Sequence, residues 1–342
     1  MSENIKDIKI GVVGAGSWGT ALANLLACKG FHIDLWVFED EVQQQIMDRR
    51  ENEIFLPGIR LSDNLTPSND IESVVADKDF LVTVVPSHLV RTVAGEMAPL
   101  VSPDTIVVSA SKGIENNTHL TMTQVLAEMM PSLSPGNFSV HSGPSFAREV
   151  AIDVPTVVTV AGHDPEVAMR VQHIFATPYF RVYTSDDPTG VELGGAVKNV
   201  IAIAAGIIDG LGLGLNTRAA LITRGQTEIR RLGLKLGANP RTFTGLAGIG
   251  DLILTCTGDL SRNHTVGKKI GQGKSLNTIL SEMRMVAEGV KTSKSVYNLA
   301  RKLEVEMPIS SEIYHVLYND VPPQEALFRL MTRDLKDELD EK

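Results

Sequence analysis

The chain has 342 residues, which is enough for about two domains at the usual size of roughly 150 residues each. It carries 32 Lys and Arg against 41 Asp and Glu, a net charge of −9, so a nucleic-acid backbone or an anionic bilayer is a poor candidate partner. Hydrophobic residues make up 43% and charged residues 21%, which excludes a disordered tail and a fibrous repeat.

The first half of the chain alternates short runs rich in Val, Ile and Phe with stretches of helical periodicity. This alternation predicts a parallel sheet covered by helices. Several of the runs are apolar throughout, as strands buried on both faces are. The predicted strands are residues 8–13, 33–38, 79–85, 105–109, 138–141, 156–161 and 180–183.

The first predicted strand leads directly into residues 14–19, Gly-Ala-Gly-Ser-Trp-Gly, and a helical pattern follows. A strand, Gly-x-Gly-x-x-Gly and a helix in this order are typical of dinucleotide binding. Gly14 permits the tight turn, Gly16 lets backbone N–H groups approach a pyrophosphate, and Gly19 lets the helix lie close to the strand. The N-terminus of that helix is then expected to bind the phosphates.

The second predicted strand ends at Phe38, and Glu39 follows it. An acidic side chain about 20 residues beyond the glycine motif typically binds the ribose hydroxyls of NAD. A solvated carboxylate at the end of a strand is the alternative interpretation of Glu39. The 2′-phosphate of NADP would require a cation instead, and the nearest candidates are Arg49 and Arg50, which could also be helix-end charges.

Two further strand ends carry polar residues, and ligands of open α/β sheets bind at the carboxyl ends of strands. Lys112 follows the predicted strand 105–109 and either holds an anionic group near the cofactor or is an ordinary exposed lysine. Residues 141–145, His-Ser-Gly-Pro-Ser, follow the next strand and offer backbone N–H groups and hydroxyls to the same crevice.

After residue 188 the β-branched runs stop, and segments with Ala, Leu and Gly at helical spacing continue to the end of the chain. We therefore predict two domains, residues 1–188 and 189–342, of which the second is helical. One helix is apolar on almost every side, which is typical of a central buried helix, and two amphipathic helices should pack around it. These three helices are predicted at residues 192–208, 217–236 and 290–303.

A lysine, Lys198, lies inside the apolar helix. Lysine is almost never fully buried unless it is paired, so this side chain either reaches the surface or serves a site. A desolvated lysine has a lowered pKa and can act as general acid and base near neutral pH. A carbonyl-reducing hydride transfer needs such a group.

The helical half also contains Ser261, Arg262, Asn263 and His264 in sequence. The guanidinium of Arg262 suits bidentate binding of phosphate, and Ser261 and Asn263 add neutral donors on either side. The segment therefore predicts a phosphate site or, alternatively, a helix N-cap with solvated charges. His264 has no second His or Cys at ligand spacing, so we do not expect it to bind a metal.

The cysteines and the length of the longest apolar stretch indicate where in the cell the protein is expected. The two cysteines, Cys28 and Cys256, lie far apart and form neither a Cys-x-x-Cys motif nor a Cys/His cluster, which favours a reducing cytoplasm. The N-terminus does not resemble a signal peptide. The longest apolar stretch, residues 200–208, has about half of the ~20 residues that a membrane span needs, so no membrane insertion is expected.

Short motifs follow one another in a specific order along the chain. They are Gly-Ala-Gly-Ser-Trp-Gly-Thr at 14–20, Leu-Pro-Gly at 56–58, Ser-Lys-Gly at 111–113, Ser-Gly-Pro-Ser-Phe-Ala at 142–147, Lys-Asn at 198–199, Gly-Ile-Gly-Asp at 248–251, Ser-Arg-Asn at 261–263 and Val-Ala-Glu-Gly at 286–289. In this order they resemble the bacterial-type NAD(P)-dependent glycerol-3-phosphate dehydrogenases, from residue 8 to about residue 335.

The resemblance implies a Rossmann-type α/β domain joined to an all-α domain of the 6-phosphogluconate dehydrogenase C-terminal type, with the active site between them. It implies the interconversion of dihydroxyacetone phosphate and sn-glycerol 3-phosphate, which supplies glycerophospholipid synthesis. The implied cofactor is NAD or NADP without a metal, and the implied partner is a small phosphorylated triose rather than nucleic acid. The oligomeric state stays open, with a homodimer as one alternative.

The resemblance also assigns site residues. Lys198 would be the proton donor and acceptor, and Asp251 would help to orient the substrate. The implied cofactor-binding residues are Ser17, Trp18, Lys112, Ala147, Arg262, Val286 and Glu288. The glycine motif adds Gly14, Gly16 and Gly19, and the end of the second predicted strand adds Phe38 and Glu39. The implied substrate-binding residues are Lys112, Gly143, Ser145, Lys198, Asp251, Ser261, Arg262 and Asn263. Lys112, Lys198 and Arg262 would gather in one cleft, so an acidic chain could still bind small anions.

One position departs from the resemblance. Many relatives have a basic residue or histidine at the end of the second strand, where this chain has Phe38 followed by Glu39. Since Phe38 cannot neutralise a 2′-phosphate, the departure favours NAD.

Two other functions stay open. One is a β-hydroxyacid or 6-phosphogluconate-type dehydrogenase, which shares the layout and a helix lysine, although Ser-Arg-Asn at 261–263 fits a small phosphorylated triose better. The other is a catalytically silent NAD(P)-binding redox sensor, which leaves Lys198 and Arg262 without a role.

Overall fold

A single sheet organises the first half of the chain in the structure, a computed structural model that describes residues 7–283 and 285–338. Its strands are β1 (Ile10–Val13), β2 (Ile33–Trp36), β3 (Leu65–Ser68), β4 (Phe80–Thr83), β5 (Ile106–Ser109), β6 (Phe138–Ser142), β7 (Thr156–Gly162) and β8 (Phe180–Ser185). Their order across the sheet is β3-β2-β1-β4-β5-β6-β7-β8. Strands β1 to β6 are parallel to one another, β7 is antiparallel to β6, and β8 is parallel to β7.

Helices cover both faces of the sheet and form the second half of the chain. They are α1 (Ser17–Lys29), α2 (Asp40–Arg49), α3 (Ile71–Val75), α4 (Val90–Met97), α5 (Met122–Met129), α6 (Ala147–Ala151), α7 (Pro165–Phe175), α8 (Pro188–Gly210), α9 (Gly214–Lys235), α10 (Asp251–Thr257), α11 (Arg262–Gly271), α12 (Leu276–Ser281), α13 (Glu288–Lys302), α14 (Pro308–Tyr318) and α15 (Pro323–Met331). The buried apolar side chains of α1, α2, α6 and α7 pack on one face of the sheet, and those of α3, α4 and α5 pack on the other. The α/β fold with an all-α second half is confirmed.

Most predicted strands occur within about two residues of their expected ends. Strand β3, an edge strand of four residues with the sequence Leu-Thr-Pro-Ser, was not predicted. Proline lacks a backbone N–H and is tolerated at a sheet edge, where one side of the strand needs no hydrogen bonds. The proline and the short polar sequence therefore hid this strand from a search for apolar runs.

The sheet departs from the predicted parallel arrangement at β7, which runs antiparallel to β6. A parallel connection must return the chain along the whole length of the preceding strand. Between β6 and β7 lies only α6, which has five residues and so spans about 7.5 Å, against about 17 Å for the five residues of β6. The chain therefore starts β7 near the end at which β6 finished and runs antiparallel to it.

Helix α8 forms the centre of the helical half. Pro188 is its first residue, and the Asp187 carboxylate caps it by accepting the N–H of Gly190 at 2.9 Å. Almost every residue of α8 is buried, as predicted for a helix that is apolar on all sides. The expectation that every apolar segment is too short for a membrane span was wrong. Helix α8 is long and apolar enough to cross a membrane, but its apolar window is entirely buried in the protein.

The backbones of α8 and α11 touch. A Cβ atom on Gly206 of α8 would lie 2.0 Å from the carbonyl oxygen of His264, and one on Gly267 of α11 would lie 2.0 Å from the carbonyl oxygen of Ile203. One turn further along, a Cβ on Gly210 would lie 2.3 Å from the carbonyl oxygen of Lys268, and one on Gly271 would lie 2.5 Å from that of Ile207. Because no side chain separates the two helices there, backbone geometry sets their spacing.

Replacing Gly267 by alanine should destabilise the protein by about 1–3 kcal/mol, because its methyl group would overlap the α8 backbone. Urea unfolding measures the change in the free energy of unfolding. Gly95→Ala in α4 is the matched control, since the new Cβ would meet only the end of the flexible Met129 side chain, at 3.3 Å. Equal stability of the Gly267→Ala protein would show that the helices can separate freely.

Candidate active site

The glycine loop between β1 and α1 has room for a dinucleotide. Gly14 has a φ of 115°, and a Cβ on Gly19 would lie 1.8 Å from the Gly14 carbonyl oxygen, so these positions need glycine. A Cβ on Gly16 would meet no atom within 4 Å, which leaves the backbone open in front of the α1 N-terminus. This opening and the N–H groups of the first helical turn fit a pyrophosphate.

Ser17 and Trp18 begin α1 beside a segment from the helical half. The Ser17 hydroxyl donates to the Phe55 carbonyl oxygen at 2.6 Å and lies 3.4 Å from the Met285 sulfur. Among the described residues, the buried Trp18 indole N–H has no hydrogen-bond acceptor. The segment before α13 thus reaches the predicted phosphate-binding loop.

Phe38 and Glu39 lie beyond the end of β2, at the predicted adenosine side of the loop. The Phe38 side chain is 75% exposed and has an edge contact with the Trp36 ring, with centroids 6.1 Å apart. Glu39 is exposed and occupies the N-cap position of α2. The surface at this point therefore offers an aromatic ring and a carboxylate.

The two arginines considered for a 2′-phosphate have other contacts. Arg49 pairs with Glu53 at 2.6 Å on the surface. Arg50 caps the C-terminal end of α2, and its guanidinium donates to the Leu65 carbonyl oxygen at 2.9 Å. These contacts support the interpretation of both side chains as helix-end charges.

Lys198 is buried in α8, with 6% of its surface exposed. Its ammonium donates to the Thr255 hydroxyl at 2.8 Å and to the Asp251 carboxylate. Burial lowers the pKa of Lys198 to about 7, while the charge of Asp251 raises it and the charge of Lys112 lowers it further. The side chain therefore does not reach the surface, and both protonation states of its amine are populated near neutral pH.

Asp251 lies between two lysines from different halves of the chain. It begins α10 directly after a π-helical turn, Leu246–Gly250, and is only 1% exposed. One carboxylate oxygen accepts from Lys198 and the other from Lys112 at 2.8 Å. Lys112 follows β5, so this carboxylate joins the carboxyl edge of the sheet to α8 and α10.

Residues 143–147 line the same edge beyond β6. Gly143 has a φ of 145°, and a Cβ there would lie 2.9 Å from the Val158 Cα, so both conformation and space require glycine. Its carbonyl oxygen accepts from Ser145 at 3.0 Å and from Lys112 at 3.4 Å. Ala147 is the first residue of α6, which packs beside α1.

The start of α11 has features of both structures predicted for residues 261–263, a helix N-cap and a phosphate site. Ser261 is the N-cap, and its hydroxyl accepts the N–H of His264 at 3.2 Å. Asn263 is buried, donates to the Asn199 side chain at 2.9 Å and accepts the N–H of Gly289 at 2.9 Å. Arg262 is exposed and makes no hydrogen bond with any described residue, so its guanidinium is available beside the helix N-terminus.

Glu288 forms a second link between the halves of the chain. Its carboxylate accepts from the Ser87 hydroxyl at 2.5 Å and from the Ser87 N–H at 3.2 Å. Burial raises the pKa of Glu288, and the bonds from Ser87 and the charge of Arg262 oppose this rise. Val286 lies just before α13 and is partly exposed. Ser87 follows β4, so the link again ends at the carboxyl edge of the sheet.

The structure adds residues that the sequence analysis did not select, namely Ser87, Thr255 and Met285. Ser87 could have been found, because it follows a predicted strand at the edge where ligands bind. Thr255 lies four residues after Asp251, one helical turn away, and this spacing is also visible in the sequence. Met285 carries no such signal, because its approach to Ser17 depends on how the two halves pack.

Two family models match the chain, and together they cover most of it. The model described as the NAD-dependent glycerol-3-phosphate dehydrogenase N-terminus matches residues 9–168. The model of the C-terminus of the same enzyme matches residues 187–328.

Relatives and solved structures are similar over nearly the full length. The chain is 59% identical to a glycerol-3-phosphate dehydrogenase [NAD(P)+] of Geobacter sulfurreducens, over 96% of this chain and 98% of that one. The enzyme of the same name from Syntrophobacter fumaroxidans is 57% identical, over 97% of each chain. The crystal structure of glycerol-3-phosphate dehydrogenase from Coxiella burnetii superposes with a TM-score of 0.92 at 38% identity, covering 96% of this chain and 100% of that one.

The lowered pKa of Lys198 predicts how stability depends on pH. The folded pKa of about 7 lies below the ordinary value of 10.5, so the unfolded chain binds more protons between these two values. The stability of the natural protein relative to Lys198→Met should therefore rise with pH across this window, and this gain should be absent below about pH 7.

Urea unfolding of both proteins between about pH 6 and pH 10 measures this difference. Lys294→Met, at an exposed lysine of α13, is the control and should show no comparable trend. A constant difference between the natural protein and Lys198→Met would mean that burial does not shift the pKa of Lys198.

Proposed function

The chain belongs to the NAD-dependent glycerol-3-phosphate dehydrogenase family, and from this membership we infer its reaction. It is an NAD(P)-dependent oxidoreductase that interconverts dihydroxyacetone phosphate and sn-glycerol 3-phosphate, the backbone of glycerophospholipids. The observation that carries this function is the buried Lys198, paired with Asp251 at the edge of a sheet that begins with a dinucleotide-binding loop. The full-length similarity favours this reaction over a 6-phosphogluconate-type dehydrogenase or a silent redox sensor.

We propose that the glycine loop and the carboxyl edge of the sheet hold the cofactor. Gly14, Gly16 and Gly19 shape the loop, and the start of α1 with Ser17 and Trp18 faces the phosphates and the adjoining ring. Further proposed contacts come from the strand ends and from the helical half. They are Phe38, Glu39, Lys112, Ala147, Arg262, Val286 and Glu288.

We propose that the substrate lies between Lys198 and the start of α11. Arg262 binds the phosphate group through charged hydrogen bonds, assisted by Ser261, Asn263 and the α11 N-terminus. The remaining proposed substrate contacts surround the carbonyl end. They are Lys112, Gly143, Ser145, Lys198 and Asp251.

In this arrangement Lys198 handles the proton of the reaction. When bound, the reduced nicotinamide supplies the hydride that the substrate carbonyl carbon accepts. The protonated Lys198 amine donates a proton from Nζ to the oxygen that becomes the hydroxyl, and the neutral amine removes it in the reverse direction. A pKa of about 7 suits both directions, since neither form is rare near neutral pH.

Asp251 and Thr255 hold the Lys198 amine in place through the contacts described above. Lys112 places a second positive charge at the same carboxylate. Two cations near the reacting oxygen stabilise the negative charge that develops on it in the transition state. The buried position of Lys198 excludes water, which strengthens this effect.

The domain limits, location and assembly remain proposals. We propose residues 1–188 as the cofactor domain and 189–342 as the substrate domain, which agrees with the end of β8 at Ser185 and the start of α8 at Pro188. Two free cysteines, Cys28 and Cys256, fit work in the cytoplasm. A homodimer stays a prediction that sedimentation analysis can test.

Replacing Lys198 by alanine should lower kcat for the reduction of dihydroxyacetone phosphate by about 10² or more, the scale of a lost general acid. Folding and cofactor binding should survive, since Lys112 still pairs with the Asp251 carboxylate and the glycine loop is unchanged. Steady-state kinetics and the quenching of Trp18 fluorescence by the cofactor measure the two effects. Lys294→Ala is the control for a lysine outside the site. Near-normal turnover of Lys198→Ala would remove this residue from the reaction.

Cofactor choice follows from the surface beyond β2, where Phe38 and Glu39 replace the cations that a 2′-phosphate needs. We expect kcat/KM with NADH to exceed that with NADPH by about tenfold or more, a ratio that corresponds to a difference of about 1.4 kcal/mol. Glu39→Arg should reverse the sign of the local charge and lower this ratio. Glu96→Arg, the same charge change on exposed α4 surface, should leave it unchanged. Equal use of both cofactors by the natural protein would contradict the expectation.

A further inference from the structure

Three charged or polar side chains form a cluster behind the start of α11, in which His264 is buried and Asp209 and Arg218 are half-buried. The Nε2 atom of His264 donates to the Asp209 carboxylate at 2.8 Å, and the other oxygen of that carboxylate accepts from Arg218 at 2.8 Å. His264 is 5% exposed. The three residues come from α11, α8 and α9, so the cluster joins three helices. Neither the family resemblance nor the mechanism above assigns it a role.

The cluster holds the turn of α11 that carries the proposed phosphate contacts. His264 lies two residues after Arg262, and its N–H is the one that the Ser261 cap accepts. Its carbonyl oxygen is the atom that packs against Gly206 of α8. On the far side of the same turn, Asn263 is fixed by Asn199. The turn is therefore held from both sides. Arg262, in the same turn, makes no hydrogen bond with any described residue.

The placement of Asp209 does not favour a purely stabilising role. Asp209 lies in the last turn of α8, where a carboxylate opposes the negative end of the helix dipole. A buried ion pair is at best weakly stabilising compared with apolar packing. The Nε atom of Arg218 is also buried without a hydrogen-bond partner in the described chain, which adds a cost. Such a cluster fixes the orientation of a side chain more effectively than it stabilises the folded protein.

The cluster and the reacting lysine both influence one buried thiol electrostatically. Burial raises the pKa of the Cys256 thiol in α10 to about 12, and smaller effects on the same thiol come from two charge pairs. These pairs are Lys198 with Asp251 and Arg218 with Asp209. Both pairs thus act electrostatically on the same thiol of α10.

We propose that His264, oriented by Asp209 and Arg218, is a positioning residue for the phosphate end of the substrate. His264 sets the rotation of the first turn of α11 and thereby aims Arg262 and Asn263 at the phosphate. The proposal rests on the phosphate site of the proposed function. It extends that site by a group that does not touch the substrate.

The test is a double-mutant cycle on His264 and Arg262, with KM for dihydroxyacetone phosphate and kcat as readouts. His264→Leu removes the bond to Asp209 and should raise KM about tenfold, with kcat changed by less than about twofold. His264→Gln keeps an N–H donor near the position of Nε2 and should restore KM to within about twofold. In the Arg262→Ala background, His264→Leu should change KM by less than about threefold, because the aimed group is gone.

Two further variants complete the design. Asp209→Asn keeps the size of the side chain, weakens its hold on His264 and Arg218, and should raise KM in the same direction as His264→Leu. His315→Leu, at a half-buried histidine of α14 bonded to Asn319, is the matched control and should leave KM unchanged. Thermal unfolding of every variant separates loss of folded protein from loss of affinity.

Several outcomes would overturn the proposal. They are an unchanged KM for both His264→Leu and Asp209→Asn, a parallel loss of kcat and thermal stability without a rise in KM, and an equal rise in KM with and without Arg262. Failure of the phosphate site itself is distinguishable, because Arg262→Ala alone would then leave KM unchanged.

Discussion

The site depends on the ion pairs that the Asp251 carboxylate makes with two lysines. This carboxylate is buried between two ammonium groups, one from the loop after β5 and one from α8. A buried ion pair contributes little net stability, but removing one partner leaves an uncompensated charge and typically costs about 3–5 kcal/mol. The carboxylate therefore has two effects. It keeps a desolvated lysine partly protonated near neutral pH, and it holds the helical half against the edge of the sheet.

Charge explains why an acidic protein binds phosphorylated ligands. The net charge of −9 is a property of the whole surface and acts against long polyanions. Within the cleft, Lys112 and Lys198 share one carboxylate, so their cluster keeps a net positive charge whenever both amines are protonated. In the proposed site, Arg262 and the N-termini of α1 and α11 contribute further positive potential. A small anion responds to this local field, whereas a polymer also meets the acidic surroundings.

Short sequence patterns were enough to predict the features that depend only on residues close together in the chain. The glycine loop was predictable because its spacing is imposed by one turn, and Lys198 because a lysine inside an apolar helix is conspicuous. Strand β3 depends on its position at the edge of the sheet. The direction of β7 depends on the length of the connection between β6 and β7. The contact of Met285 with Ser17 depends on how the two halves pack. No run of neighbouring residues contains that information.

The contact between α8 and α11 connects the fold to specificity. Lys198 lies on α8 and Arg262 begins α11, and these helices meet at glycines with no side chain between them. Side-chain packing can adjust to a substitution, whereas two backbones in contact have little room to move. The separation of Lys198, the proposed proton donor, from Arg262, the proposed phosphate ligand, is therefore set by main-chain geometry. In the proposed mechanism a rigid separation of these two groups favours one length of substrate, which supports a three-carbon phosphate.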